Sequence, residues 1–282
     1  MHSIDIGRNE SVQGVTILGS NIYILCQSKH FDLRNVIRVF EDRNLFRLQK
    51  KIDIREIKYP ADILSSKKNE NCLYVLDHLE KCFWKIVREE NDEYKISKWL
   101  TTDYLPVSLS MMKNGQILLV KALSSSLIIL GTEADLLETI QLPEDIKNPL
   151  HAVKTSIGNF VILHLWAENV EKYTGKQWLQ TWSISEVTSD AQMVIRSFIP
   201  SNEKQIPRDP SYLALDSDDR VLVADNGNRR VFLLDSNLKW NRILCEVRAD
   251  THVRGRLCFE EKKKQLIVGK SGYADVYTLN QC

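Results

Sequence analysis

The stretch DPSYLALDSDDRVLVADNGNRRVFLLDSNLKWNRILC, residues 209–245, decides the fold of this chain. Short apolar runs alternate in it with polar turns at nearly even spacing. The Asp, Asn and Ser side chains of these turns can hydrogen-bond neighbouring backbone groups, and Gly227 tolerates positive φ. The runs are too short for helices and rich in β-branched residues, which is typical of strands. They span residues 212–215, 221–224, 231–234 and 240–245. The stretch therefore predicts a meander of four antiparallel strands.

Weaker copies of this unit recur along the chain. A proline precedes a short apolar run, at intervals of about 45 residues with a longer last gap, at Pro60, Pro106, Pro149 and Pro210. Residues 12–18 and 255–259 occupy the same place near the two ends, which makes six units. A four-stranded sheet of this length cannot bury both faces alone, and it has the size of one blade of a β-propeller.

The sixth unit contains only three apolar runs, and the N-terminus offers the missing strand. Residues 3–6 (SIDI) match residues 51–54 (KIDI) in pattern, and a polar loop follows both. A strand donated in this way closes the ring and leaves no long unpaired sheet edge. We predict an all-β fold, a six-bladed β-propeller of four-stranded antiparallel blades closed by the N-terminal strand. Residues 1–282 form one domain in this interpretation.

The composition limits the partners of the chain. Lysine and arginine number 38 and aspartate and glutamate 37, which removes any whole-chain attraction to nucleic acid or to an anionic membrane. The six cysteines include no Cys-x-x-Cys pair, and the N-terminus lacks a secretory signal. No window has the apolar length of a membrane span. We expect a cytoplasmic chain with reduced thiols, no membrane partner, no small-molecule cofactor and a monomeric state as an isolated domain.

Residues 220–235, RVLVADNGNRRVFLLD, closely resemble the NHL repeat, in which an apolar-Val-Ala-Asp strand is followed by Asn-x-Arg and a second apolar strand. Asp225, Asn228 and Arg230 stand at the three polar positions of the motif. We interpret them as residues that brace the blade, whereas Arg229, the variable residue, points to solvent. The resemblance implies a six-bladed NHL propeller, similar to the C-terminal propellers of tripartite-motif proteins. Ubiquitin-ligase activity in such proteins belongs to a RING finger, which this sequence does not contain.

The motif is less complete in the other units. Asp77 keeps the acidic position of the second unit, but Glu80 and Cys82 replace the Asn and the Arg. The same three places hold Lys121, Ser124 and Ser126 in the third unit, and Lys270, Tyr273 and Asp275 in the sixth.

One face of the predicted disc, the top face, carries the loops that lead into each first strand and the hairpins between second and third strands. Cations outnumber acids there, whereas the opposite, bottom face collects acids such as residues 216–219 and 260–261. An insertion at residues 166–176 breaks the period on the top face, and its role stays open. The candidate binding residues of this face are Arg55, Lys58, Tyr104, Trp166, Tyr173, Lys204, Arg208, Tyr212, Arg229, Arg254, Lys270 and Tyr273.

Three functions remain open for this pattern. The leading hypothesis is a noncatalytic protein-interaction scaffold, for example the substrate-recognition part of a ubiquitin-ligase-type protein, because Tyr, Trp and Arg dominate protein hot spots. The alternative is single-stranded RNA binding, in which aromatic side chains stack on bases beside cations.

The third possibility, a metal-dependent lyase or lactonase with its site at the axis, follows from a resemblance to related propellers. The first strands offer few inward polar residues for it: Asp62, Ser108, His151 and Tyr212. These include too few carboxylates for a calcium site, and no His pair has a ligand-like spacing. We therefore expect no catalytic site and no bound metal.

Overall fold

The computed structural model describes residues 1–7, 9–28, 35–41, 46–166, 181–247, 256–270 and 272–279. These residues form six four-stranded antiparallel sheets arranged in a ring. The innermost strand of each sheet contacts the innermost strands of both neighbouring sheets around the whole circle. The predicted all-β, six-bladed propeller is confirmed. Within the same residues, no helix has the length and hydrophobicity needed to cross a bilayer.

The blades are numbered in chain order, and their strands are described from the axis outward. The innermost strands of blades 1 to 6 are β2 (Glu10–Leu18), β6 (Pro60–Ser65), β10 (Pro106–Met111), β14 (Lys147–Lys154), β18 (Pro210–Leu215) and β22 (Arg256–Glu260). The second strands are β3 (Asn21–Ser28), β7 (Cys72–Asp77), β11 (Ile117–Lys121), β15 (Phe160–Trp166), β19 (Val221–Asp225) and β23 (Gln265–Lys270).

The third and outermost strands complete each blade. The third strands are β4 (Val36–Glu41), β8 (Cys82–Arg88), β12 (Ser126–Leu130), β16 (Thr181–Val187), β20 (Arg230–Leu234) and β24 (Tyr273–Thr278). The outermost strands are β5 (Leu48–Asp53), β9 (Tyr94–Thr101), β13 (Leu136–Gln141), β17 (Val194–Ser197), β21 (Trp240–Glu246) and, for blade 6, β1 (His2–Asp5).

The packing explains the apolar runs that the sequence shows. All residues of β19 and β20 are buried, because both faces of these middle strands pack against neighbouring blades. In blade 5, Val223 and Phe232 pack with Leu163 of blade 4 in one apolar cluster. The outermost strand β21 instead alternates between half-buried and exposed residues over most of its length, because only one of its faces packs against the protein.

The N-terminal strand closes the ring as predicted. β1 pairs antiparallel with β24, and the side chains of Ile4 in this strand and of Ile6 just after it are buried. The Ser3 hydroxyl donates a hydrogen bond to Oδ1 of Asp275 at 2.6 Å, and the Ile6 amide donates to the Gly272 carbonyl at 3.0 Å. The two ends of the chain therefore share one sheet.

A bulge near the start of the innermost strands determines which side chains reach the axis. The register of pairing shifts directly after Pro60, Pro106, Pro149 and Pro210. A proline is tolerated here because it lies at the inner edge of the sheet, where no further strand needs its missing N–H. The residues that follow the bulge are Asp62, Ser108, His151 and Tyr212.

Candidate functional site

Four polar side chains from four blades meet at the axis, and we call Asp62, His151, Tyr212 and Arg256 the axial cluster. The Tyr212 hydroxyl of blade 5 donates to Oδ1 of Asp62 in blade 2, at 3.5 Å. The Tyr212 ring packs on the His151 ring with 3.9 Å between centroids, and the Arg256 guanidinium lies 5.4 Å from the Tyr212 centroid. All four residues are buried. Tyr212 was predicted both among the inward residues of the first strands and on the top face; only the inward placement is correct, because the strand turns its side chain into the axis after the bulge.

Burial also controls the charges of the axial cluster. Burial raises the pKa of Asp62 to about 6, against the opposing effect of the Arg256 charge. Burial lowers the pKa of His151 to about 3, and Arg256 acts in the same direction. Among the described residues, neither ring nitrogen of His151 nor Nε of Arg256 has a hydrogen-bond partner. The described chain also contains no group of three His, Cys, Asp or Glu side chains that could hold a metal ion.

The motif residues of blade 5 form one buried network around Asp225. Its Oδ1 accepts hydrogen bonds from the amides of Arg208 at 3.0 Å and Asp209 at 3.2 Å. Its Oδ2 accepts from the Asn228 side chain at 2.6 Å and from Nε of Arg230 at 3.1 Å. The carboxylate thus ties the loop before β18 to the hairpin after β19, and Asp225 and Arg230 are both buried. This geometry gives the motif a structural role.

Blade 6 also has a buried ion pair, but its lysine stands at the motif position of Asp225 and its aspartate at that of Arg230. Lys270 stands at the acidic position, and its ammonium contacts Oδ2 of Asp275 at 2.5 Å. Only 6% of Lys270 is exposed. The placement of Lys270 on the binding surface is therefore wrong. Its ammonium is buried and neutralised by Asp275 inside the blade, so it is not available to a ligand at the surface.

Other predicted cations remain at the top face, but some are already paired. Arg55 forms an ion pair with Asp53 at 2.6 Å, and Lys58 forms one with Glu80 at 3.0 Å. Of the predicted cations, three are exposed and have no ion pair among the described residues, and we call them the cationic corner: Lys204, Arg208 and Arg229. Tyr104 and Tyr273 are half-buried. The side chain of Trp166, together with Tyr173, Arg254 and residues 167–176 of the insertion, lies outside the described residues.

Several acids of the bottom face have ion-pair or hydrogen-bond partners within the protein. Asp216 and Asp218 both pair with Arg220, at 2.6 and 3.5 Å. Asp219 accepts a hydrogen bond from the Ser156 amide of blade 4, and Glu261 accepts one from the Ser217 amide of blade 5, each at 2.9 Å. The last two contacts join neighbouring blades, so these acidic residues stabilise the ring.

Three large apolar or aromatic side chains on the top face are exposed, Tyr59, Leu79 and Leu123, which we call the apolar patch; the two leucines were not predicted from the sequence. Their exposed fractions are 42%, 56% and 92%. The two leucines lie in equivalent hairpins of adjacent blades, β7–β8 and β11–β12. Leu123 has a φ of 53°, the left-handed conformation that Lys81 and Arg229 also adopt in the equivalent hairpins of blades 2 and 5. The signal was an apolar residue at a hairpin tip, where glycine or a polar residue is usual.

A groove of about 520 Å³ runs beside this patch between blades 2 and 3. We call it the interblade groove. Its upper end is formed by Tyr104 and Lys121, whose ammonium lies 5.3 Å from the Tyr104 ring centroid. Its remaining wall is mixed, with apolar side chains such as Leu100, Ile128 and Leu136. Such a volume is in the range of protein sites for small ligands and short peptide segments.

Comparison with known proteins places the chain among β-propellers. No protein-family model and no curated protein sequence matches it. It is similar to a catalytically inactive variant of virginiamycin B lyase from Staphylococcus aureus, solved with quinupristin, with a TM-score of 0.64 and 12% identity over 99% of both chains. It is also similar to a streptogramin B lyase, with a TM-score of 0.64 and 10% identity over 99% of this chain and 98% of the other.

A third similar structure is the Cps50 (Swd1) β-propeller domain of Myceliophteria thermophila, with a TM-score of 0.57 and 8% identity over 95% of this chain and 83% of that domain. At these identities the likeness shows the fold alone, because one propeller fold serves enzymes and binding proteins. The class that the fold defines is the six-bladed β-propeller. Membership in the NHL family stays a prediction.

Proposed function

We propose that the chain is an NHL-type propeller that acts as a noncatalytic protein-interaction scaffold and binds its partner on the top face of blades 2 and 3. The observation that carries this proposal is the apolar patch of Tyr59, Leu79 and Leu123, which lies on blades 2 and 3, the same two blades that form the interblade groove. Aromatic and large apolar side chains that lose water on association supply most of the affinity of protein interfaces.

The axial cluster supports a noncatalytic role. The His151 ring packs against Tyr212 at an interplanar angle of 46°, and the Asp62 carboxylate accepts hydrogen bonds from the amides of Ile63 and Leu109 at 2.9 and 3.2 Å. Asp62 is thus engaged in bonds to the backbone and His151 in ring packing, while both ring nitrogens of His151 have no hydrogen-bond partner among the described residues.

Single-stranded RNA binding is the alternative, and the cationic corner favours it. Lys204 and Arg208 line one cleft together with Asn228, the residue before Arg229 in the hairpin after β19, and with the acids Glu203 and Glu246. However, Arg55 and Lys58 are paired with acids on the same face, which lowers the free positive charge available to phosphates.

The double variant Leu79→Ser/Leu123→Ser tests the proposed function. We expect it to weaken capture of the partner by at least about tenfold, because truncation of central apolar side chains removes hot-spot contacts. Both residues are exposed, so the melting temperature should stay unchanged. The measurement is quantitative affinity capture with wild type and variant, followed by identification of the proteins and RNA that are lost.

Ile157→Ser is the matched control, since Ile157 is 74% exposed in the hairpin between β14 and β15 on the bottom face. It should capture like wild type. The proposal is wrong if the leucine variant retains every partner, or if Arg208→Glu/Arg229→Glu removes RNA whose binding falls steeply with salt while the leucines have no effect.

A further inference from the structure

Equivalent positions in blades 2 and 5 hold a carboxylate that binds two backbone amides. Asp77 pairs with Pro60 across β6 and β7, and its side chain accepts hydrogen bonds from the Lys58 amide at 2.9 Å and the Tyr59 amide at 3.2 Å. Asp225 does the same for the two residues before Pro210. In both blades, an aspartate carboxylate of the chain thus accepts the hydrogen bonds of the two amides that lead into the innermost strand.

Blade 3 lacks this carboxylate. Lys121 pairs with Pro106 and so stands where Asp77 and Asp225 stand. The amides in the two positions before Pro106 belong to Tyr104 and Leu105, and neither has a hydrogen-bond acceptor among the described residues. A second donor set is next to them, because the hydroxyls of Ser124 and Ser126 lie 2.8 Å apart in the same hairpin region.

Lys121 also lacks the internal partner that its counterpart in blade 6 has. Lys270 pairs with Asp275, which lies opposite Val268, two residues before the lysine. The corresponding residue of blade 3 lies opposite Leu119 and is Ile128. Within the described chain, Lys121 has no carboxylate within ion-pair distance. In the part of the chain that the structure describes, the Tyr104 and Leu105 amides at this end of the interblade groove therefore have no acceptor, and the Lys121 ammonium has no ion-pair partner, although the exposed Asp103 also lines the groove.

Below Lys121, the wall of the interblade groove is lined by apolar residues and can pack against apolar side chains of a ligand. Ile128 and Leu130 line the groove from β12, Leu136 from β13, and Leu100 from the end of β9. β12 and β13 run along the groove, so an extended segment can lie beside them with alternate side chains against the wall.

We propose that the interblade groove binds an extended peptide segment of a protein partner that carries a carboxylate next to large apolar side chains. The carboxylate takes the place that Asp77 and Asp225 occupy in their own blades and accepts hydrogen bonds from the Tyr104 and Leu105 amides beside Lys121. The apolar side chains pack between Leu100, Ile128 and Leu136. This inference rests on the proposed protein-binding function and names the chemistry of the partner.

Selection of a random peptide library on the full chain tests the inference. We expect the enriched peptides to share an Asp or Glu beside leucine-like residues. Binding of a fluorescent enriched peptide should weaken about ten- to hundredfold when its acid is changed to the amide, or when the chain carries Lys121→Gln, because a charge-assisted contact is lost. Lys154→Gln should bind like wild type, since Lys154 makes a similar ring contact, 4.9 Å from Phe160, in another blade.

Lys121→Asp separates binding from folding. The new carboxylate can bind the Tyr104 and Leu105 amides as Asp77 does in blade 2, so the melting temperature should stay at or above that of wild type while peptide binding is lost. Enrichment of no peptide, enrichment of peptides without an acid, or unchanged binding to both Lys121 variants would overturn the inference. If partner capture depends on Leu79 and Leu123 but not on Lys121, this inference fails while the proposed function stands.

Discussion

Deletion of residues 1–8 is expected to destabilise the whole ring, although these residues lie far in sequence from the blade they complete. The deletion removes the outermost strand of blade 6 and with it the buried side chains Ile4 and Ile6. Burial of an isoleucine contributes about 1.5–3 kcal/mol, so the loss amounts to about 3–6 kcal/mol before the hydrogen bonds to β24 and Gly272 are counted. The deletion also exposes β24 as a sheet edge, which favours aggregation.

Thermal unfolding followed by circular dichroism measures this effect, with light scattering to detect aggregation. Ile4→Ala/Ile6→Ala should reproduce most of the loss, whereas Met1→Ala should not change stability because Met1 is 60% exposed. An unchanged melting temperature after the deletion would contradict closure by the N-terminal strand.

Asp225→Ala is expected to cost about 3–5 kcal/mol, which corresponds to a fall of roughly 10 °C in melting temperature. The change leaves the buried Arg230 guanidinium without its carboxylate and removes the acceptor for the Arg208 and Asp209 amides. An uncompensated buried charge is more costly than a lost surface ion pair.

Asp218→Ala provides the comparison within the same blade. The Asp218 side chain is 69% exposed and pairs with Arg220 at 3.5 Å, so its removal should change stability by less than about 1 kcal/mol. Chemical denaturation of the two variants distinguishes the roles. Equal and small losses for both would show that Asp225 does not brace the blade.

The strands and their order could be predicted because the signals are local. Each middle strand is an apolar run between turn residues, and the pattern of residues 3–6 was sufficient to predict closure. The inward direction of Tyr212 was predicted from its place in the first strand, but its alternative placement on the top face was wrong, because a bulge of one residue reverses the face on which every later side chain lies. Arg256 was missed at the axis for a related reason: its contacts with Tyr212 and the Ala61 carbonyl come from other blades.

Whether a charged side chain is exposed or buried was harder to predict from the sequence than the positions of the strands. Lys270 looks like a surface cation in the sequence, and only the pairing of β23 with β24 shows that Asp275 neutralises it inside the blade. Leu79 and Leu123 are single apolar residues at hairpin tips, and each is ordinary alone. They become a candidate binding surface only when the ring brings their hairpins side by side.

Hydrogen–deuterium exchange of the chain, alone and with its captured partner, tests most directly whether the partner binds at blades 2 and 3. We predict slower exchange in the complex at the amides of Tyr104 and Leu105 and in the hairpins at residues 78–81 and 122–125. Slower exchange confined to residues 203–209 and 226–229, around the cationic corner, would contradict it.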